Sequence, residues 1–94
     1  MNKIYGYCRV STKKQALLRQ VNNIRGEYPK AILYKEYYTG TKMDRPEWNR
    51  LLNAVRSGDT IVFDSVSRMS RDSEEGFKDY KHLYELGVNL VFLK

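Results

Sequence analysis

A serine and three arginines carry the strongest chemical signal in this chain. Ser11 follows a hydrophobic run, Tyr5 to Val10, that contains Arg9, and Arg68 and Arg71 recur three residues apart in "SVSRMSR". In a helical turn that spacing projects two side chains from one side. A guanidinium offers a planar fork of donors that matches phosphate oxygens and stays charged at any physiological pH. A hydroxyl among such arginines suits a phosphate, and above all the extra negative charge of a phosphoryl-transfer transition state. No cluster of acids follows the first hydrophobic run, and no Gly-rich phosphate loop with its lysine is present, so neither a magnesium site nor any other cofactor is expected. The competing role for Ser11 is that of a helix cap. "TKKQ", Thr12 to Gln15, has capping-box spacing and "STKK" does not, so Thr12 can cap and leave Ser11 facing a ligand. On the residues alone, cap and nucleophile both stay open.

Those residues need a scaffold that brings them together. "KIYGYCRV" reads as a strand covered on both faces. From Thr12 to about Tyr28, Ala16, Leu17, Val21 and Ile24 recur at helical spacing, and Pro29 closes the helix. "AILYKEYY" is a second strand, rich in β-formers, and "TGTKMD" an exposed loop. A second helix starts near Pro46 with Trp48, Leu51, Leu52 and Val55 on one face, and Gly58 in the "SGD" turn suits its C-terminal cap. "TIVFDSV" is a third strand, Ser73 to Leu86 a third helix stopped by Gly87, and "NLVFL" a fourth strand. Connections long enough to hold a helix imply parallel strands with right-handed crossovers. The expected fold is therefore an α/β three-layer sandwich, with helices on both faces of a four-stranded parallel sheet. A flavodoxin-like order, 2-1-3-4, would put the switch point between strands 1 and 3, where ligands bind at the carboxyl ends. Strand 1 ends at "RVST" and strand 3 at "VSRMSR", so that topology brings Ser11 and the arginines to one crevice. The helix after strand 1 adds its N-terminal amides and dipole.

Ninety-four residues make one small domain. With 41% hydrophobic and 30% charged residues the chain is expected to be globular. No apolar run approaches the ~18 residues of a membrane span, and there is no signal-peptide core, which favours the cytoplasm. A lone cysteine, Cys8, excludes an internal disulfide and a cysteine-rich zinc site, and reads as a small buried hydrophobe. Net charge is +6, and residues 1–30 hold seven Lys/Arg against one acid, Glu27, while residues 31–94 hold ten of each sign. A basic first strand and helix suits a polyanion such as nucleic acid, or forms a solvated helix face. The tyrosines Tyr5, Tyr7, Tyr34, Tyr37 and Tyr38 fall in strand runs and read as packing rather than base-stacking platforms. His82 has no ligand partners at metal spacing and reads as surface or packing; Trp48 reads as the anchor of the second helix.

"YGYCRVSTKKQ" resembles the opening motif of the serine recombinases, the resolvase/invertase family of site-specific DNA recombinases. "SVSRMSR" resembles their second motif, and "YTGTKMDRPEWNRLL" looks like their loop carrying an arginine ahead of the second helix. Three co-linear motifs across nearly the whole chain make the resemblance specific. It implies a DNA strand transferase with Ser11 as the nucleophile that becomes joined to the 5′-phosphate. It implies that Arg9, Arg68 and Arg71 bind the scissile phosphate, that Arg45 is the loop arginine, and that Gln15 and Gln20 are the glutamines near the site. It implies double-stranded DNA as substrate and self-association of the full-length protein as dimer and tetramer, with no membrane and no small-molecule cofactor. Ser67 stands where many members have aspartate, which leaves the general acid unassigned. Nothing in residues 1–94 matches the family's long dimerisation helix or its DNA-binding region, so the expectation is the front part of a recombinase, inactive by itself. Two other readings stay open: a non-catalytic interaction or regulatory fragment, and a phosphate-binding α/β domain acting on a small molecule.

Overall fold

The structure, a computed structural model, describes residues 2–10, 14–37, 46–64 and 73–93, with the backbone alone at 14, 15 and 73–77. The elements alternate as expected: β1 (Ile4–Val10), α1 (Lys14–Glu27), β2 (Ile32–Tyr37), α2 (Pro46–Ala54), β3 (Thr60–Phe63), α3 (Ser73–Leu86) and β4 (Asn89–Phe92). The strands form one sheet in the order β2-β1-β3-β4, and every pairing is parallel. Direction alternates around β1: the chain goes to one side for β2 and to the other for β3 and β4. Right-handed crossovers therefore send α1 to one face and α2 and α3 to the opposite face.

Each face has its own core. Tyr5, Tyr7, Ile61 and Phe63 pack with Trp48, Leu51 and Val55 of the α2 region and with Leu83 of α3. Cys8, Val10 and Val62 pack with Leu17, Val21 and Ile24 of α1. The period-2 alternation of a strand explains the division. Trp48 anchors α2 as expected: it is 2% exposed, its ring lies 4.9 Å from that of Tyr7 and 5.9 Å from that of Phe63, and its indole N–H donates to Asp79 Oδ2 at 3.0 Å. On the other face α1 crosses close over β1 at Gly6. A Cβ there would lie 2.6 Å from Leu33 Cδ2 and 3.0 Å from Ile24 Cγ2.

The ends of α2 and β3 depart from expectation. Helix α2 stops at Ala54, so Gly58 is not its cap. Gly58 instead holds a positive φ of 93° in the turn before β3, where its N–H donates to the Gly87 carbonyl at 2.9 Å. Gly87 does cap α3: at φ 93° it donates to Tyr84 O, while Val88 N donates to Leu83 O at 2.9 Å. That is the Schellman pattern, completed by the packing of Leu83 and Val88 in one core. β3 spans Thr60–Phe63, and Asp64, expected within the strand, is a bend. Residues 65 and 66 lie outside the described residues, as do the Thr12 cap, the "TGTKMD" loop and Tyr38. Among the other tyrosines, Tyr5, Tyr7 and Tyr34 pack as expected, but Tyr37 is 58% exposed because it falls at the end of edge strand β2.

Candidate active site at the carboxyl ends of β1 and β3

β1 extends past β3 at the carboxyl edge of the sheet. Its register with β3 ends at Tyr7↔Phe63, whereas its register with β2 continues to Val10↔Tyr37. The described β1–β3 rungs end two residues before Arg9, whose backbone takes a side-chain partner. Gln20 of α1 supplies it: its Oε1 accepts from Arg9 N at 3.0 Å and its Nε2 donates to Arg9 O at 3.1 Å. A side-chain amide has a donor and an acceptor spaced like those of a peptide group, so Gln20 pairs with the Arg9 backbone much as a strand residue would. It is 1% exposed, and a buried backbone polar group must be satisfied in this way or cost free energy. Gln20 was expected near the site; its side chain clamps the β1 end. Arg9 is 8% exposed, on the same face of β1 as Tyr7 by alternation.

The carboxyl end of β3 is held by the same helix. Asn23 lies three residues beyond Gln20 on α1, and its Nδ2 donates to Asp64 Oδ1 at 2.7 Å. Asp64, 6% exposed, falls on the α1 face with Val62. The carboxyl end of β2 is fastened by Glu36, which is 1% exposed. Its Oε1 accepts from Tyr7 OH at 3.2 Å and from Trp48 N at 3.0 Å, and its Oε2 from Glu47 N at 3.4 Å. The first amides of α2 are otherwise orphan donors, and a carboxylate at a helix N-terminus also meets the positive end of the dipole. Glu36 thus caps α2 from a neighbouring strand.

Helix α1 begins at Lys14, three residues separating it from the end of β1, with no acid in its first turn to neutralise the dipole. Of the expected site residues, the structure describes Arg9 and Gln20 in full and brings them together. Ser11, Arg45, Ser67, Arg68 and Arg71, and the side chain of Gln15, lie outside the described residues. By chain connectivity Ser11 follows Val10 directly, and residues 65–72 join Asp64 to the start of α3. Among the described residues no group of three or more His, Cys, Asp or Glu is placed to hold a metal. His82 is exposed. Asn23, Glu36 and Asp64 are the positioning groups that sequence reasoning missed. Their signals were faint: one polar residue beside the apolar stripe of α1, and single acids within two β-rich runs.

The opposite end of the sheet is polar too, but unlike a phosphate site. Asp59, 3% exposed, accepts from Lys3 N at 2.8 Å and from Arg56 N at 2.9 Å. The Lys3 amide, outweighing burial, holds its carboxyl below the usual carboxylate range, helped by the Arg56 amide and the charges of Lys3 and the N-terminus. Burial, and then the negative charge of Asp59, push the Tyr5 phenol up.

Comparison with known proteins agrees with this scaffold. The model of the resolvase N-terminal domain family matches residues 4–94. The chain is 34% identical over 91 residues to the transposon Tn917 resolvase of Enterococcus faecalis, and 30% identical over 93 residues to a resolvase of Clostridium perfringens. Each alignment covers 97% of this chain and 49% of the relative, so the chain spans about half the length of these relatives. The crystal structure of a serine recombinase from Sulfolobus solfataricus superposes with a TM-score of 0.76 at 22% identity, over 100% of this chain and 69% of that one. That likeness shows the shared fold. With the family match spanning nearly the whole chain, and the sheet order that the strand–helix alternation led us to expect, the chain belongs to the resolvase N-terminal domain family.

Proposed function

We propose that this chain is the catalytic part of a site-specific DNA recombinase, with Ser11 as nucleophile. The observation that carries the proposal is that β1 and β3 are adjacent parallel strands, so that their carboxyl ends lie side by side, with Gln20 fixing the backbone of Arg9 two residues before Ser11. In this reading Ser11 Oγ attacks the phosphorus of a DNA phosphodiester. The new Oγ–P bond replaces the P–O3′ bond, the serine proton is released, and the departing 3′-oxygen takes up a proton. Arg9, Arg68 and Arg71 bind the non-bridging oxygens and stabilise the added charge, with Arg45 approaching from its loop and Gln15 beside the nucleophile. The 5′-phosphoserine conserves the energy of the broken ester. A 3′-hydroxyl from another strand then attacks it and reseals the backbone without ATP. Duplex DNA in the cytoplasm and further recombinase subunits are the partners this reaction requires. The basic character of residues 1–30 supports an anionic substrate.

In the full-length recombinase, Ser11→Ala should abolish covalent protein–DNA adducts while leaving affinity for the recombination site unchanged. The assay is denaturing electrophoresis of end-labelled site DNA, with affinity measured in parallel. An adduct formed by the alanine variant would remove Ser11 from the nucleophile's place.

A further inference from the structure

We infer that Asn23 and Asp64 are positioning residues for strand cleavage, an inference that rests on the recombinase reading above. Among the described residues the last β1–β3 rung is Tyr7↔Phe63, and no rung is formed at Asp64. The chain leaving those ends carries the proposed nucleophile on one side and the proposed arginines on the other. Two side-chain links from a single helix continue where the ladder stops. Gln20 holds β1 through both backbone groups of Arg9, and Asn23 holds β3 through Asp64 Oδ1 at 2.7 Å. The two side chains are three positions apart on α1 and therefore share a face. Their partners are 11 and 41 residues away in the chain, so the links join parts of the molecule that nothing local would align. Helix α1 acts as a jig. Gln20 fixes Arg9, two residues before Ser11 in the chain, and Asn23 fixes Asp64, four residues before Arg68. Asp64 thus serves as an acceptor for α1, four residues before Arg68 and outside the proton transfers of the reaction.

The contact is directional, an amide donor on α1 and a carboxylate acceptor on β3, so exchange of the partners tests it. Asn23→Asp sets two carboxylates against each other. It should lower the single-turnover cleavage rate of the full-length recombinase, at saturating site DNA, by about 10- to 100-fold. That is the range expected when reacting groups are misplaced by about 1 Å. DNA affinity should stay within about twofold, because phosphate contacts made elsewhere dominate it. The exchanged double variant, Asn23→Asp with Asp64→Asn, restores a donor opposite an acceptor and should bring the rate back to within about threefold of the parent. Parental cleavage by Asn23→Asp overturns the inference. So does a rate loss that the exchange fails to restore, or failure of both variants to fold, since the pair would then be structural only. Ser11→Ala, run alongside, separates this result from the recombinase reading. Adduct formation by that variant rejects the nucleophile. A silent Ser11→Ala with a parental Asn23→Asp rejects the jig alone.

Discussion

Gln20 contributes two hydrogen bonds to the backbone of one buried residue, and at the scale of single residues few side chains here have more to lose. Replacing it by leucine keeps much of its bulk but leaves Arg9 N–H and C=O facing apolar surroundings. Each buried backbone group left unsatisfied costs about 1–3 kcal/mol. Gln20→Leu should therefore destabilise the domain by about 2–6 kcal/mol, a large share of the ~5–15 kcal/mol that holds a small domain together. Urea unfolding followed by Trp48 fluorescence measures it, and a loss under ~1 kcal/mol would mean that water replaces the amide. Glu36 follows the same logic with the roles reversed, as one carboxylate collecting a phenol and two helix amides.

Between elements, the polar turns at the amino edge of the sheet couple stability to pH. Asp59 ties β1, through Lys3 N, to the turn after α2, through Arg56 N, and its carboxyl is held below the usual range by those amides. A folded-state pKa below the unfolded value, ~3.9 for aspartate, gives stability that is fully present above ~3.9 and is lost as pH falls toward the folded value. Asp59→Asn presents an NH₂ group to one of the two N–H donors. At pH 7 it should cost about 1.5–3 kcal/mol, the usual worth of a hydrogen bond to a charged group. The difference between parent and variant should narrow below pH ~4, as the parent's own carboxylate protonates. Denaturant titrations of both proteins at pH 7 and pH 3 check the sign, and an equal gap at both pH values would contradict it.

For the molecule as a whole, charge would govern the encounter with DNA that the proposed function requires. Seven of the 17 lysines and arginines fall in residues 1–30 beside a single acid, and on α1 Arg19 and Arg25 are exposed. Contacts of this kind reach phosphates and carry no base information. The 94-residue chain should bind unrelated duplexes at or beyond the weak end of the ~10⁻⁴–10⁻⁶ M non-specific range. Neutralising about three phosphates would make that affinity fall more than tenfold between ~50 and ~200 mM salt. Fluorescence anisotropy with two unrelated duplexes tests this. Retention of affinity at the higher salt, or preference for one duplex, would show that the domain itself reads sequence.

How far the sequence alone determines this protein can be seen element by element. Helix α3 spans Ser73–Leu86 as its apolar period and Gly87 indicate, because helical spacing and a left-handed cap are local properties. Strand and helix alternation likewise dictates parallel strands, since each crossover must traverse a face. The order β2-β1-β3-β4 was only one order compatible with that alternation, and only the folded sheet, with α1 on one face and α2 and α3 on the other, decides it. At the site, the motif residues around Ser11 and Arg68 announce themselves by type and spacing. The groups that hold the scaffold around them do not. Glu36 meets Tyr7 and Trp48 across 29 and 12 residues, and Asn23 meets Asp64 across 41. A side-chain hydrogen bond between distant residues leaves no periodicity in the chain, so only the folded structure, by closing β1 and β3 over one helix, decides those partners.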